Sequence, residues 1–230
     1  MSSAHIRNME LREKIQPGCI YHICTRPNGS EVLFRDNKDY LYFLRKMEER
    51  LTEAWEIMAY TLTPTEIHLV VKIIRKKIDG EVVNHSILLS HLLNGYAQHY
   101  NFKYGRSGNL LNRSFRRKSL NTDENVKEVI CQMHNLPMAK KLVSRIRDWK
   151  FSSYKENGIE RPGLKCLQQL WSLFGSEKLF YAKHVIDEVL ADIFPKRMWL
   201  KVLTPQEIAF RLKHPLGGHR WSRRKVHPPE

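Results

Sequence analysis

Two kinds of hydrophobic pattern alternate in the N-terminal third of the chain. Residues 19–25, 57–63 and 67–73 are rich in β-branched and aromatic side chains, which predicts three strands. The last two strands flank a break that begins with Pro64, which indicates a hairpin. Between the first and second strands, apolar residues recur at steps of three and four over residues 39–55, and this spacing predicts a helix with Asp39 as its N-cap.

The middle of the chain continues this mixture of elements. Helical spacing returns at 86–100, a glycine-marked loop follows at 104–108, and residues 114–120 form a possible basic strand. A helix is predicted near 123–134, ended by Pro137, with a second short helix at 138–144. The order β-α-β-β-α-β-α predicts an α+β fold, in which a ferredoxin-like antiparallel sheet carries helices on one face.

The domain organisation follows from a change of pattern after Gly158. Residues 161–163, Arg-Pro-Gly, interrupt the chain, and residues 164–213 have mostly helical spacing. We therefore predict an αβ domain over 1–158, a helical extension over 159–217 and a basic tail over 218–230. The extension is compatible with a DNA-binding module, a dimer clasp or a lid over the sheet.

Charge gives the first indication of function. The 230 residues contain 39 Lys and Arg against 24 Asp and Glu, a formal net charge of +15. Such an excess favours polyanions, of which nucleic acid is the commonest partner. The sequence shows neither an apolar run long enough for a membrane span nor a secretory signal, and its four cysteines are scattered. We expect a cytoplasmic protein with no membrane partner.

Residues 101–120 concentrate this positive charge. They hold six basic side chains and no acidic one, interleaved with aromatic residues. Tyr104 is a candidate for stacking on an unpaired base. Five further residues are candidates for contacts to the DNA backbone: Arg106, Arg113, Arg116, Arg117 and Lys118. The alternative is a solvated basic face without a partner.

Five segments, in order and at similar spacing, resemble the REP-associated single-tyrosine HUH transposases. They are residues 21–34, the helix from Asp39, residues 59–71, residues 105–118 and residues 149–154. The resemblance covers roughly residues 17–156. It implies a ferredoxin-like domain that binds single-stranded DNA beside a hairpin in DNA transposition. In that family a tyrosine attacks a phosphodiester and a divalent metal polarises the phosphate.

The residues that would carry this chemistry have changed. The family's Pro-x-His-hydrophobic-His segment matches residues 64–68, so Glu66 replaces the first histidine and only His68 remains. Both lie on one strand face and are weak candidates for an Mg²⁺ or Mn²⁺ site. We otherwise expect His68 to be hydrogen-bonded within the fold. Glu66 is then expected to cap the turn or to pair with a base such as Lys72.

The helix that carries the nucleophile in that family has also changed. Alignment on Pro137 places Gln132 at the tyrosine position and Leu136 at the position of an asparagine ligand. No tyrosine lies between Tyr104 and Tyr154, for which a packing role is expected. If the alignment holds, Gln132 should point towards His68 across the cleft.

These changes predict a catalytically degenerate relative that binds single-stranded or hairpin DNA, is not expected to cleave it and requires no cofactor. Two alternatives remain open at this point. One is an active, metal-dependent DNA-cleaving enzyme in which Glu66 and His68 hold Mg²⁺ or Mn²⁺. The other is a non-enzymatic scaffold that binds RNA or protein. The resemblance also suggests a homodimer.

Overall fold

A computed structural model of the chain describes residues 14–112, 115–154 and 166–193, with side chains as far as Val185. Arg113, the predicted boundary near residue 158 and the predicted basic tail therefore lie outside the described residues. The chain divides into two compact units, residues 1–187 and 188–230. Side-chain contacts are described for the first unit only.

The centre of the fold is an antiparallel sheet of four strands in the order β2-β3-β1-β6. Its strands are β1 (Ile20–Thr25), β2 (Trp55–Thr63), β3 (Glu66–Ile73) and β6 (Arg116–Leu120). The predicted hairpin is confirmed as the β2–β3 pair. A separate small hairpin joins β4 (Lys77–Ile78) to β5 (Glu81–Val82). Asp79 and Gly80 both have positive φ in its turn, which is typical of an Asp-Gly hairpin loop.

Five α-helices accompany the sheet in the described residues: α1 (Asn37–Leu51), α2 (His85–Lys103), α3 (Asp123–Ala139), α4 (Cys166–Phe174) and α5 (Glu177–Ile193). A 3-10 turn spans Ile146–Asp148. The sequence β1-α1-β2-β3-α2-β6, with this strand order, is the ferredoxin-like arrangement and confirms the α+β class. In the described part of the chain, no helix is both long enough and apolar enough to span a membrane.

The start of α1 differs from the prediction. Asp36, not Asp39, is the N-cap, and its side chain accepts a hydrogen bond from the backbone N–H of Asp39. The Asp39 carboxylate accepts one in return from the backbone N–H of Asp36, so the two acids form a capping box. Asp39 looked like the cap because an aspartate at the third helical position can satisfy the same kind of backbone donor.

The end of α3 also differs from the prediction. The helix runs through Pro137 to Ala139, and the short helix predicted at 138–144 is not formed. Proline removes one hydrogen-bond donor, and in the last turn this costs a single intrahelical bond. The backbone N–H of Lys140 still donates to the Leu136 carbonyl, and that of Leu142 donates to the Pro137 carbonyl. These two bonds close the helix after the proline.

The two faces of the sheet differ in character. One face packs apolar side chains such as Tyr21, Ile23 and Leu69 into the core. The indole N–H of Trp55 donates to His85 at the start of α2, 3.0 Å away, and so ties this helix to the sheet. The opposite face carries His68 and its polar neighbours, and the end of α3 reaches it through an ion pair to Glu66. Helices therefore approach both faces of the sheet.

Candidate nucleic-acid interface

Strand pairing aligns two rows of side chains across one face of the sheet. The register places Thr61, His68, Cys24 and Arg116 in one row, and Ala59, Val70, His22 and Lys118 in the next. Because side chains alternate along a strand, members of both rows project from the same face. The predicted candidates His68, Arg116 and Lys118 are thus brought onto one surface.

At one end of this surface lies a group of six side chains, which we call the Glu66 cluster: Glu66, His68, His22, Cys24, Arg26 and Lys140. Glu66 is buried, with 6% of its surface exposed. Its carboxylate lies 2.7 Å from the Arg26 Nε and 2.9 Å from the Lys140 Nζ. Lys72, the base expected from the sequence, is not its partner, since Lys72 lies at the far end of β3.

His68 joins this carboxylate to the first strand. Its Nε2 lies 3.5 Å from Glu66 Oε2 and 3.7 Å from Cys24 Sγ, and its Nδ1 lies 3.1 Å from His22 Nε2. The two imidazole rings are stacked, with centroids 5.3 Å apart. The expectation that His68 is hydrogen-bonded within the fold is confirmed, and both of its ring nitrogens have partners.

The two histidines of the cluster titrate in opposite directions. Burial disfavours the charge on His68, but the contacts with Cys24 and Glu66 outweigh this effect and raise its pKa to about 9. Burial, followed by the positive charges of His68 and Lys118, lowers the pKa of His22 to about 3. At neutral pH a charged His68 therefore donates its Nδ1–H to a neutral His22.

Glu66 remains ionised in the environment that Arg26, His68 and Lys140 create. Burial works against its charge, whereas the close contacts with His68 and Lys140 favour it, and the net effect lowers its pKa to about 2. One carboxylate consequently faces three positive charges, on Arg26, His68 and Lys140. The cluster is positively charged overall, and such a surface attracts anions.

Gln132 and Leu136 lie on α3, the helix that ends beside the Glu66 cluster. Gln132, Leu136 and Lys140 follow one another at four-residue steps, so they form one stripe along the helix. The last of the three contacts Glu66, and its Nζ also lies 3.3 Å from the Thr65 hydroxyl. Gln132 is exposed and Leu136 is half-buried. The orientation of Gln132 towards His68 stays a prediction.

The donor set of the cluster does not suit a divalent metal ion. A coordinating imidazole must present an unprotonated nitrogen, yet both nitrogens of His68 are engaged with neighbouring side chains. Arg26 and Lys140 meanwhile occupy the carboxylate of Glu66. Within the ranges that the structure describes, no group of three or more His, Cys, Asp or Glu could hold a metal ion.

Arg116 and Lys118 extend the positive surface along β6. Both are exposed, and neither has an acidic partner among the described residues. Arg117, between them, projects to the other side of the strand and lies over the ring of Phe115, with its guanidinium carbon 5.2 Å from the ring centroid. We call Arg26, Arg116, Lys118 and Lys140 the cationic face.

The two remaining described candidates from the basic segment have internal partners. The Tyr104 hydroxyl donates to Asp39 over 2.8 Å, and the Arg35 guanidinium lies 4.5 Å from the centre of its ring. Arg106 forms an ion pair with Glu31 at 2.8 Å and donates to the Asn101 side chain at 2.9 Å. Both residues are therefore held within the fold, where they brace the loop that follows α2.

A second pair of histidines lies in the interior. The Phe180 carbonyl accepts from His184 Nδ1–H at 2.8 Å, so His184 Nε2 accepts from His134 Nδ1–H at 2.9 Å. His134 Nε2 then accepts from the Ser153 hydroxyl at 2.9 Å. Burial lowers the pKa of both histidines, that of His184 to about 4. No sequence pattern indicates this Ser153–His134–His184 chain, because its members lie far apart along the sequence and on different elements.

Comparisons with known proteins give distant structural similarities. No family model matches the sequence, and no curated relative matches it. A REP-associated tyrosine transposase bound to a REP hairpin is similar with a TM-score of 0.49 and 15% identity, over 65% of this chain and 87% of the other. A bacterial tRNA(His) guanylyltransferase (Thg1)-like protein in complex with GTP gives 0.40 and 11%, over 63% and 75%. Neither similarity reaches the level that would indicate a shared function.

Proposed function

We propose that this protein binds single-stranded or hairpin DNA through the cationic face and does not cleave it. The observation that carries the proposal is the row geometry of the sheet. Arg116 and Lys118 are exposed, lack an acidic partner in the described chain and share a face with the positively charged Glu66 cluster. Exposed arginine and lysine side chains in this arrangement suit consecutive phosphates of a DNA backbone.

Two features favour binding without cleavage. Helix α3 contains no tyrosine, and the stripe that approaches Glu66 holds Gln132 and Leu136, neither of which is a nucleophile. The carboxylate that would otherwise coordinate a cation is neutralised by Arg26 and Lys140. Positive side chains thus surround the residues that align with the metal ligands of the HUH transposases, and they can hold a phosphate without activating it.

The test uses a labelled DNA hairpin with a single-stranded flank. We expect saturable binding at low salt, and on a denaturing gel we expect intact DNA without a covalent protein adduct, with or without Mn²⁺. Low-millimolar Mn²⁺ should leave the melting temperature within about 1 °C, since a ligand present far below its Kd stabilises the native state very little. Failure to bind any oligonucleotide would refute the proposal. Cleavage, an adduct or a shift of several degrees with Mn²⁺ would refute its non-cleaving part.

A further inference from the structure

A cavity of about 530 Å³ lies between α2 and the loop at residues 108–112. Five carboxamide side chains line it: Asn94, Gln98, Asn101, Asn109 and Asn112. Apolar side chains, among them Leu93, Leu110 and Phe115, form other parts of the wall. We call it the amide pocket. Its size falls within the range of small-molecule sites.

The loop wall of the amide pocket is fixed by the fold. The backbone N–H of Asn28 donates to the Leu110 carbonyl at 2.8 Å, and that of Asn112 donates to the Arg26 carbonyl at 3.0 Å. The Asn101 side chain donates to the Gly108 carbonyl at 2.9 Å. The loop is therefore held in place without a ligand, and it is bonded directly to the segment that carries Arg26 of the cationic face.

Four of the five carboxamides are available to a ligand. Asn101 is engaged by Gly108 and Arg106. The side chains of Asn94, Gln98, Asn109 and Asn112 are exposed, and the described residues offer them no hydrogen-bond partner. A carboxamide presents a donor and an acceptor side by side, and this pair matches the edge of a nucleobase, adenine above all.

We propose that the amide pocket binds one unpaired base of a single-stranded DNA segment whose phosphates lie on the cationic face. This inference rests on the proposed function. Strand β6 lies between the two sites, because alternate residues project to its opposite sides: Arg116 and Lys118 towards the cationic face, and Arg117 and the preceding Phe115 away from it. Phe115 lines the pocket and offers an aromatic wall for the base. The pocket would supply base preference, which phosphate contacts alone do not give.

The test selects preferred flanks from DNA hairpins that carry a randomised single-stranded segment. Wild type is compared with the double variant Asn94→Ala, Gln98→Ala and with Gln168→Ala, which removes an exposed helical carboxamide from α4. At one flank position, we expect a base change to weaken wild-type binding by about 5- to 150-fold. The double variant should lose this discrimination but keep its affinity for a non-preferred flank, and Gln168→Ala should behave as wild type.

Four results would count against the inference, and each shows which part of the account fails. Wild type without base preference, or a double variant that keeps the preference, overturns the pocket assignment and leaves the proposed function intact. Absence of binding to every DNA tested overturns both. A preference seen only with RNA flanks of the same sequence would overturn the assignment to DNA.

Discussion

The described part of the chain contains two hydrogen-bonded histidine pairs whose surroundings differ. His22 and His68 lie 3.1 Å apart beside a carboxylate, and one of them carries a proton at neutral pH. His134 and His184 lie 2.9 Å apart among aromatic rings and backbone, and both are neutral. The two pairs have similar distances, but the first pair is charged and the second is neutral. Glu66 lies beside the first pair and stabilises an imidazolium, and the second pair has no such acid among the described residues.

Because their charge states differ, the two histidine pairs have different roles. The His134–His184 pair joins α3 to α5 and to Ser153 through directional hydrogen bonds, and so contributes to the architecture of the fold. The His22–His68 pair keeps a positive charge at the sheet surface, close to Lys118 and the cationic face. Substitutions in the two pairs should therefore have different consequences.

The largest effect is expected at the interior pair. His134→Ala removes a fully buried ring and one hydrogen bond each from Ser153 and His184, which should lower the free energy of unfolding by about 3–5 kcal/mol. Urea denaturation measures this change. His91→Ala, which alters an exposed histidine of α2, is the control and should have little effect. A loss below about 1 kcal/mol for His134→Ala would show that the network does not stabilise the fold.

The next effect is expected at Glu66. Glu66→Gln removes the charge that offsets Arg26, Lys140 and His68, and should cost about 1.5–3 kcal/mol of unfolding free energy. The loss stays moderate because Arg26 and Lys140 reach solvent. Glu49→Gln, which removes an exposed partner of Lys46, should leave stability nearly unchanged. Equal effects of the two variants would contradict the account of the cluster.

The pH dependence of stability should separate His68, whose pKa is raised, from the histidines whose pKa is lowered. Because the pKa values of His134 and His184 are lowered on folding, the unfolded chain binds more protons, and stability should fall as pH decreases from about 6.5 towards 4. The raised pKa of His68 contributes stability that is complete below pH 6.5 and is lost as pH rises through about 9. The lowered pKa of His22 acts in the same direction, so His22, His134 and His184 together carry the acid limb of the stability profile, and His68 contributes to its alkaline limb.

Unfolding free energies at pH 5, 7 and 9 check both limbs. His184→Asn should make the acid limb shallower and leave the alkaline limb intact, whereas His68→Asn should flatten the alkaline limb. If His68→Asn leaves the alkaline limb unchanged, His68 is not the group that carries the charge.

Sequence patterns predicted the fold where local signals and tertiary packing agree. The runs of β-branched and aromatic residues in β1, β2 and β3 and the helical spacing of α1, α2 and α3 correspond to elements in the structure. Pro137 misled the prediction because a proline in a last turn ends a helix less sharply than one in its interior. The Asp-Gly turn of the β4–β5 hairpin was detectable from sequence, but its two-residue strands carry no periodicity.

The partners within the site could not be predicted in the same way. Glu66 and His68 were identified as a pair on one strand face, since that requires only the period of a strand. Arg26 and Lys140 reach Glu66 from distant positions on either side of it in the sequence, and only the folded sheet and α3 bring them together. Tyr104 and Arg106 resemble DNA contacts in sequence because their partners, Asp39 and Glu31, are also distant along the chain.

The salt dependence of DNA binding tests the central claim, that the cationic face contacts phosphates. The double variant Arg116→Ala, Lys118→Ala is compared with Lys76→Ala, Lys77→Ala, which removes two exposed charges beyond the far end of β3. Each lost phosphate contact should reduce the slope of log affinity against log salt by ~0.7 for a single strand, so the first variant should lose about 1.4 and the second nothing. Unchanged affinity and slope in the first variant, with DNA still bound, would place the DNA-binding surface elsewhere and contradict the account.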